Sequence, residues 1–390
     1  MSAMQETASV AATPSTPGVD ALSWVSAIAP YVAGKPIEET ARELGLDPAR
    51  IVKVASNENP LGMAPAAVRA LERLMRSPAA ELGRYPDSNG FALRAALAER
   101  FGVPADWITL GNGSNDILEL CAAATLAPGR SGLYAQYSFA VYPLAVQARG
   151  ARAIVVPAKA YGHDLDAMQA AIAPDTRLVF LANPNNPTGT FLPAEALERF
   201  LQRVPSSVLV VLDEAYNEYL PPALRYDSVA WVRRYPNLLV SRTFSKIYGL
   251  ASLRVGYAIA RPEVAALLHR VRHPFNVNAF ALAAATAALG DHEFVARSYE
   301  LNRAGLEQLA AGFRRLGLEW VPSDANFLLV RVGDGARIYR GMLERGVIVR
   351  PVASYALPEW LRFTVGLPEE NARALEALAA AVGTTSPAVR

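Results

Sequence analysis

The residue whose type and surroundings best suit covalent chemistry is Lys246, inside Thr243-Phe244-Ser245-Lys246 and eight residues before Arg254. Most lysines in a chain of 390 residues are solvated surface charge. This one follows Asn237-Leu238-Leu239-Val240-Ser241, which reads as a strand. It precedes a stretch from Gly249 to Tyr257 with small residues and an arginine in place of the charge of an exposed helix. A lysine at a strand end, among hydroxyls and near a second cation, suits Schiff-base formation. Burial and neighbouring positive charge lower an amine's pKa, and the free amine is then a usable nucleophile.

Three further segments also follow strand-like runs. Leu110-Gly111-Asn112-Gly113-Ser114-Asn115-Asp116 turns from a strand end into a helix start. Glycines let the backbone approach an anion, and a helix N-terminus offers free N–H groups and positive potential, so Gly113, Ser114 and Asn115 could take a phosphate. An ordinary glycine turn with Ser114 or Asn115 as N-cap is the other reading. Asn183-Pro184-Asn185-Asn186-Pro187-Thr188-Gly189-Thr190 makes a stiff loop whose amides can point inward. Asp213-Glu214-Ala215-Tyr216 follows the apolar run Val208–Leu212. A carboxylate placed directly after a buried run is costly unless paired. A ring nitrogen that must stay protonated would pair it; a metal ligand or an N-cap is the alternative. Together these pieces describe a site for pyridoxal phosphate. Lys246 would form the Schiff base, Asp213 would hold the ring-nitrogen proton, and the Gly113–Asn115 turn would take the phosphate, leaving the protein to orient and tune the cofactor.

These residues need a frame that brings strand ends together. Strand-like runs at Trp107–Leu110, Arg152–Pro157, Arg177–Ala182, Ser207–Leu212, Asn237–Thr243 and Val255–Ala260 alternate with helical patterns such as Asn115–Leu126 and Pro193–Val204. That alternation predicts right-handed βαβ units around a mostly parallel sheet, an α/β fold with ligands gathered at the carboxyl ends of the strands. After about Ala281 the texture changes. A long helix over Glu293–Leu316, strands at Phe327–Val332, Val347–Arg350 and Leu361–Val365, and closing helices predict a compact α+β unit. No linker rich in glycine or serine separates the two, so the boundary is soft and a helix can cross it.

The composition narrows the function classes. With 52% hydrophobic residues the chain can bury a large core plus a smaller one. A net charge of +2 with 19% charged residues argues against a nucleic-acid partner. The single cysteine, Cys121, excludes an internal disulfide and fits a reducing, cytoplasmic compartment. His163, His269, His273 and His292 lack metal-ligand spacing, so no metal is expected. No apolar run reaches membrane-span length, and the first twenty residues are not those of a secretory signal. Their Ala, Ser, Thr and Pro content predicts a disordered tail.

From about Leu22 to its end the chain resembles the fold-type I (class II) aminotransferases, and within them the histidinol-phosphate aminotransferases. The resemblance is carried by Ser56-Asn57-Glu58-Asn59-Pro60-Leu61-Gly62, Arg84-Tyr85-Pro86-Asp87, Gly111–Asp116, Asn183–Gly189, Asp213–Tyr216, Ser245-Lys246, Arg254 and Leu361-Arg362-Phe363-Thr364-Val365-Gly366. It implies a disordered tail over residues 1–21 and an arm over 22–55 that joins the small domain. It further implies a large pyridoxal-phosphate-binding domain over 56–282, with a mostly parallel seven-stranded sheet flanked by helices, and a small α+β domain over 283–390. By the same resemblance Asn186 and Tyr216 would hydrogen-bond the cofactor's phenolic oxygen, and Ser114, Asn115, Thr243, Ser245 and Arg254 would hold its phosphate. Phe139 would stack on the ring, judged by its spacing to Tyr142, with Tyr137 as the rival. Tyr85 would reach the phosphate of a neighbouring subunit's cofactor, making a homodimer part of the site. Arg362 would grip the amino donor's carboxylate, Arg350 would be the second substrate cation, and Tyr31 and Asn57 would complete the substrate side. The implied activity is transfer of an amino group between L-histidinol phosphate and glutamate/2-oxoglutarate in histidine biosynthesis, with Lys246, Asp213 and Tyr216 as catalytic groups. An aromatic amino acid aminotransferase or a phosphorylated-amino-acid decarboxylase on the same scaffold is a neighbouring reading. A non-catalytic pyridoxal-phosphate module fused to a DNA-binding segment is disfavoured, because the stretch before Leu22 is short and carries no basic residue.

Overall fold

A computed structural model describes residues 19–31, 34–78 and 82–383. Most of the tail expected over residues 1–21 therefore lies outside the described residues. The strands run β1 (Val52–Lys53), β2 (Ile108–Gly111), β3 (Ser131–Ala135), β4 (Arg152–Val156), β5 (Thr176–Ala182), β6 (Leu209–Asp213), β7 (Leu238–Thr243), β8 (Gly256–Ala260), β9 (Trp320–Val321), β10 (Phe327–Arg331), β11 (Val347–Ile348), β12 (Arg350–Pro351) and β13 (Trp360–Thr364).

The large sheet has seven strands in the order β2-β8-β7-β6-β5-β3-β4. Its central strands are near-continuous runs of Leu, Val and Phe because helices cover both of their faces, whereas the edge strand β4 keeps exposed positions. All pairings are parallel except those of β8. Between β7 and β8 the chain makes no helical crossover, only a tight excursion over residues 244–255, so β8 returns antiparallel. That excursion holds Lys246.

Within the large sheet, β3 is the strand that the sequence patterns did not single out. Its Ser131-Gly132-Leu133-Tyr134-Ala135 is short and contains a glycine, which weakens a strand pattern. In the fold, a Cβ on Gly132 would stand 2.6 Å from Val146 Cγ2, so the glycine admits the helix Val141–Ala148 against the sheet.

The second unit has its own core. The helices His292–Arg315 and Pro368–Gly383 pack on the antiparallel sheet β12-β13-β10-β9, with Val52 and Val54 of the arm joining the same core. The run Val347–Arg350, read as one strand, divides. β11 pairs in parallel with β1, whereas β12 pairs antiparallel with β13. The expected boundary at 282/283 falls inside the helix Ala279–Leu289, whose buried alanines join the core of the large unit beside the helix Pro65–Met75. Among the described residues no helix is long and apolar enough to cross a membrane.

Candidate active site

The carboxyl ends of β2, β5, β6 and β7 open into one cavity of about 400 Å³, closed from the other side by the arm and the small unit. At its floor β6 delivers Asp213, only 5% exposed. Strand side chains alternate between faces, so the next residue, Glu214, points away from the cavity and meets Arg242 of β7 at 2.8 Å. Asp213 accepts a hydrogen bond on Oδ2 from the Tyr142 hydroxyl at 2.8 Å, and its buried Oδ1 has no partner. Burial raises the Asp213 pKa from 3.8 to about 6, against the pull of the Tyr142 hydroxyl and the Ala215 N–H. An acceptor oxygen left unpaired in the interior calls for a donor, and a cationic N–H would satisfy both its hydrogen-bonding and its charge.

Lys246 lies above this floor. Its Nζ donates to the Ser56 carbonyl at 3.2 Å and sits 5.8 Å from the Tyr216 ring centroid. Burial, then the charges of Arg362 and Arg254, lower its pKa from 10.5 to about 8, with Glu58 and Asp213 opposing. The Ser56–Gly62 segment braces the lysine loop from outside. Asn59 Nδ2 donates to the Ile247 carbonyl at 2.7 Å, and a Cβ on Gly249 would stand 1.8 Å from the Gly62 oxygen. This close approach is why a glycine stands at position 249.

The anion cradle is built on a strand-to-helix turn. Gly113 has φ +79°, and a Cβ there would lie 2.4 Å from Arg254 Nη2. A Cβ on Gly256 of β8 would lie 2.5 Å from the Ser114 nitrogen, so the chain turns tightly beneath the start of the helix Ser114–Thr125. Arg254, itself held at φ +57°, thus presses a guanidinium against a helix N-terminus. Two positive features in contact are unfavourable unless an anion lies between them. Ser114, Asn115, Thr243 and Ser245 line the same corner, with Thr243 Oγ1 accepting from the Ser245 N–H at 3.1 Å.

On the opposite wall Arg350 and Arg362 are register partners on β12 and β13 and are 9% and 6% exposed. Like charges directly across a strand pair destabilise a sheet. Arg362 donates to Asn186 Oδ1 at 2.5 Å and to the Ala55 carbonyl at 2.9 Å, while its buried Nε has no partner. Arg350 lies over the Tyr31 ring, 5.5 Å from its centroid. Asn57 donates through Nδ2 to the Tyr216 hydroxyl at 2.9 Å and is clamped to Thr364 by two further hydrogen bonds, so its side chain aims Tyr216. Phe139 lines the cavity, whereas Tyr137 stacks on Tyr161 with centroids 6.1 Å apart. Tyr85 is outside the cavity of its own chain, 82% exposed and stacked on Phe275.

The sequence reading missed Tyr142 and Tyr355 as lining residues, and Glu58, whose charge reaches Lys246. Tyr142 had a usable signal, since it falls about one helical turn after Phe139 at the start of a helix.

A cavity with a nucleophilic amine, an anion cradle, a buried acceptor for a cationic N–H and two further arginines can hold a phosphorylated aromatic cation and a second anionic substrate at once. The comparisons with known proteins agree with this chemistry. The family model for aminotransferase class I and II matches residues 49–378. Histidinol-phosphate aminotransferase 2 of Ralstonia nicotianae is 65% identical over 369 residues, 94% of this chain and 98% of the relative. Histidinol-phosphate aminotransferase 1 of Cupriavidus pinatubonensis is 67% identical over 359 residues, 91% of this chain and 94% of the relative. Among solved structures, histidinol-phosphate aminotransferase from Sinorhizobium meliloti, in complex with pyridoxal-5'-phosphate, superposes with a TM-score of 0.85 at 27% identity, covering 95% of this chain and all of that one. The chain belongs to the class I and II aminotransferases and, within them, to the histidinol-phosphate aminotransferase family.

Proposed function

We propose that this chain is a pyridoxal-phosphate-dependent transaminase that moves an amino group between L-histidinol phosphate and 2-oxoglutarate in histidine biosynthesis, acting as a cytoplasmic homodimer. The observation that carries the reading is the Arg350–Arg362 pair facing a cavity whose floor is Asp213 and whose amine is Lys246. The residues present suit the cofactor: the unpartnered Asp213 Oδ1 matches a protonated ring nitrogen, and the Gly113–Arg254 corner matches a phosphate. When bound, pyridoxal phosphate supplies an electron sink for charge that develops at the amino-bearing carbon.

The chain's own residues do the rest. Lys246 Nζ would hold the cofactor, and as a free amine it would carry the proton away from the amino-bearing carbon and return it to the carbon that receives the amino group. Asp213 Oδ1 keeps the ring nitrogen protonated. Ser114, Asn115, Thr243, Ser245, Gly113 and Arg254 anchor the phosphate. Phe139 would cover the ring, and Asn186 and Tyr216 would hold the phenolic oxygen. Burial raises the Tyr216 pKa to about 12, so its hydroxyl stays a donor at neutral pH. Arg362 and Arg350, helped by Tyr31, grip the carboxylates of glutamate in one half-reaction and the phosphate of histidinol phosphate in the other, because a planar guanidinium binds either anion through two hydrogen bonds.

The test is single-turnover spectroscopy with histidinol phosphate and, separately, phenylalanine. Histidinol phosphate is expected to discharge the visible absorbance with a rate constant over K at least about a hundredfold above that of phenylalanine, because a pocket built to hydrogen-bond a phosphate rejects an analogue that lacks those acceptor oxygens. A faster reaction with phenylalanine reassigns the chain to the aromatic amino acid aminotransferases. That second reading has less support, since relatives at 57% to 67% identity bear the histidinol-phosphate name.

Tyr85 supplies a separate prediction about the assembly. Tyr85 is exposed and stacked on Phe275 at 4.6 Å, which supports a reading in which it enters a neighbouring subunit's site. Tyr85→Phe is expected to raise the cofactor dissociation constant about tenfold, the loss of one hydrogen bond to a charged group. Sedimentation should show the holoenzyme as a dimer, and a fully active monomer would contradict the shared site.

A further inference from the structure

The Asp213 carboxylate has a partner outside the roles above. Tyr142 is fully buried, and its hydroxyl donates to Asp213 Oδ2 at 2.8 Å. Its ring lies flat on Phe180 of β5, with centroids 4.6 Å and planes 2° apart, and meets Phe139 edge-on at 5.9 Å. Two aromatic contacts at right angles fix the ring, and the ring fixes the hydroxyl. A phenol has one proton to donate, and Tyr142 spends it on Oδ2. The other charged groups near Asp213 are Lys246 across the cavity and Glu214, whose side chain is turned to Arg242 on the far face. Burial and the adjacent carboxylate hold the Tyr142 pKa well above its ordinary value, so this donor persists across the working pH range.

We propose that Tyr142 is a positioning residue for the cofactor's ring nitrogen: by occupying Oδ2 it locks the Asp213 carboxylate with Oδ1 aimed at that nitrogen, and keeps the carboxylate the acceptor of the pair. The proposal rests on the cofactor reading above. Tyr142 acts through Asp213. Without its hydroxyl the carboxylate keeps only the Ala215 N–H to orient it and becomes more basic, because a hydrogen bond to the charged form is gone. A more basic Asp213 draws the ring proton onto itself and weakens the electron sink.

The experiment compares wild type, Tyr142→Phe and Tyr142→His, each loaded with cofactor labelled with ¹⁵N in the ring. Tyr142→Phe is expected to bind cofactor stoichiometrically, to shift the ring-nitrogen resonance toward the unprotonated position, and to lower kcat about tenfold to a hundredfold, with KM for the amino donor changed less than about threefold. In the apoprotein of the same variant, the Asp213 carboxyl should titrate at higher pH than in wild type. Tyr142→His, whose imidazole can donate, should recover part of the ring-nitrogen shift, and it provides the reading if Tyr142→Phe does not fold. An unchanged ring-nitrogen resonance in the phenylalanine variant overturns the proposal, even if kcat falls, because packing alone would then explain the loss. Failure of the wild-type chain to take up the cofactor overturns the site reading itself, and this proposal with it.

Discussion

Lys246→Ala is expected to lose turnover by roughly four orders of magnitude, since one substitution removes both the covalent anchor and the proton carrier. The visible absorbance of lysine-bound cofactor should vanish, while cofactor still binds more weakly through Asp213 and the Gly113–Arg254 corner. The poise of this lysine has a cost in stability. Its pKa falls from 10.5 to about 8 on folding, chiefly through burial and then through Arg362 and Arg254. Holding the buried ammonium at neutral pH therefore costs the fold roughly 3 kcal/mol, at 1.36 kcal/mol per pH unit. The sign follows from proton counts: between about 8 and 10.5 only the unfolded chain keeps the proton, so stability rises with pH through that window. Alanine removes this cost but also the packing of the lysine's methylenes, worth about 2–4 kcal/mol. The two nearly cancel, so the apoprotein variant should melt within a few degrees of wild type. Absorbance, turnover and thermal melts check the three statements, and undiminished turnover would take Lys246 out of the chemistry.

Asp213→Asn should retain bound cofactor and lose most of the rate, about a thousandfold, because the amide matches the carboxylate in shape but not in charge. An asparagine whose oxygen accepts from the Tyr142 hydroxyl presents an NH2 where the carboxylate presented Oδ1, and the ring nitrogen no longer keeps its proton. Full activity in this variant would refute the assigned role. The apoprotein gives a second readout with a definite sign. Burial raises the wild-type Asp213 pKa from 3.8 to about 6 in the folded chain. Between those values the folded state holds a proton that the unfolded state has released, so wild-type stability falls as pH rises from about 4 to 6. Above pH 6 the ionised carboxylate costs roughly 3 kcal/mol. Asparagine has no such term, and the variant apoprotein should exceed wild type in stability at pH 7 by more than at pH 4. Cofactor should narrow the gap at pH 7, since a cationic ring nitrogen stabilises the aspartate and not the amide.

The local pattern of the chain determined the α/β class, the mostly parallel sheet and the strand ends from which Asp213, Lys246 and the Gly113 turn arise. Buried strands advertise themselves as apolar runs, and a polar residue that terminates one is visible in a single line of sequence. What the tertiary structure decided depends on partners far away in the chain. Gly132 weakens its strand's pattern, and its purpose shows only where the helix Val141–Ala148 needs its missing Cβ. The antiparallel return of β8 follows from the lack of a helical crossover, and the division of residues 347–351 between two sheets places Arg350 opposite Arg362. Asn57 becomes the residue that aims Tyr216 only when β13 arrives to clamp it, and Tyr142 meets Asp213 across 71 residues of sequence. Periodicity and burial are local properties that a sequence states directly. Register and hydrogen-bond partnership are set by how separate elements pack, and a single chain of letters has no term for that distance.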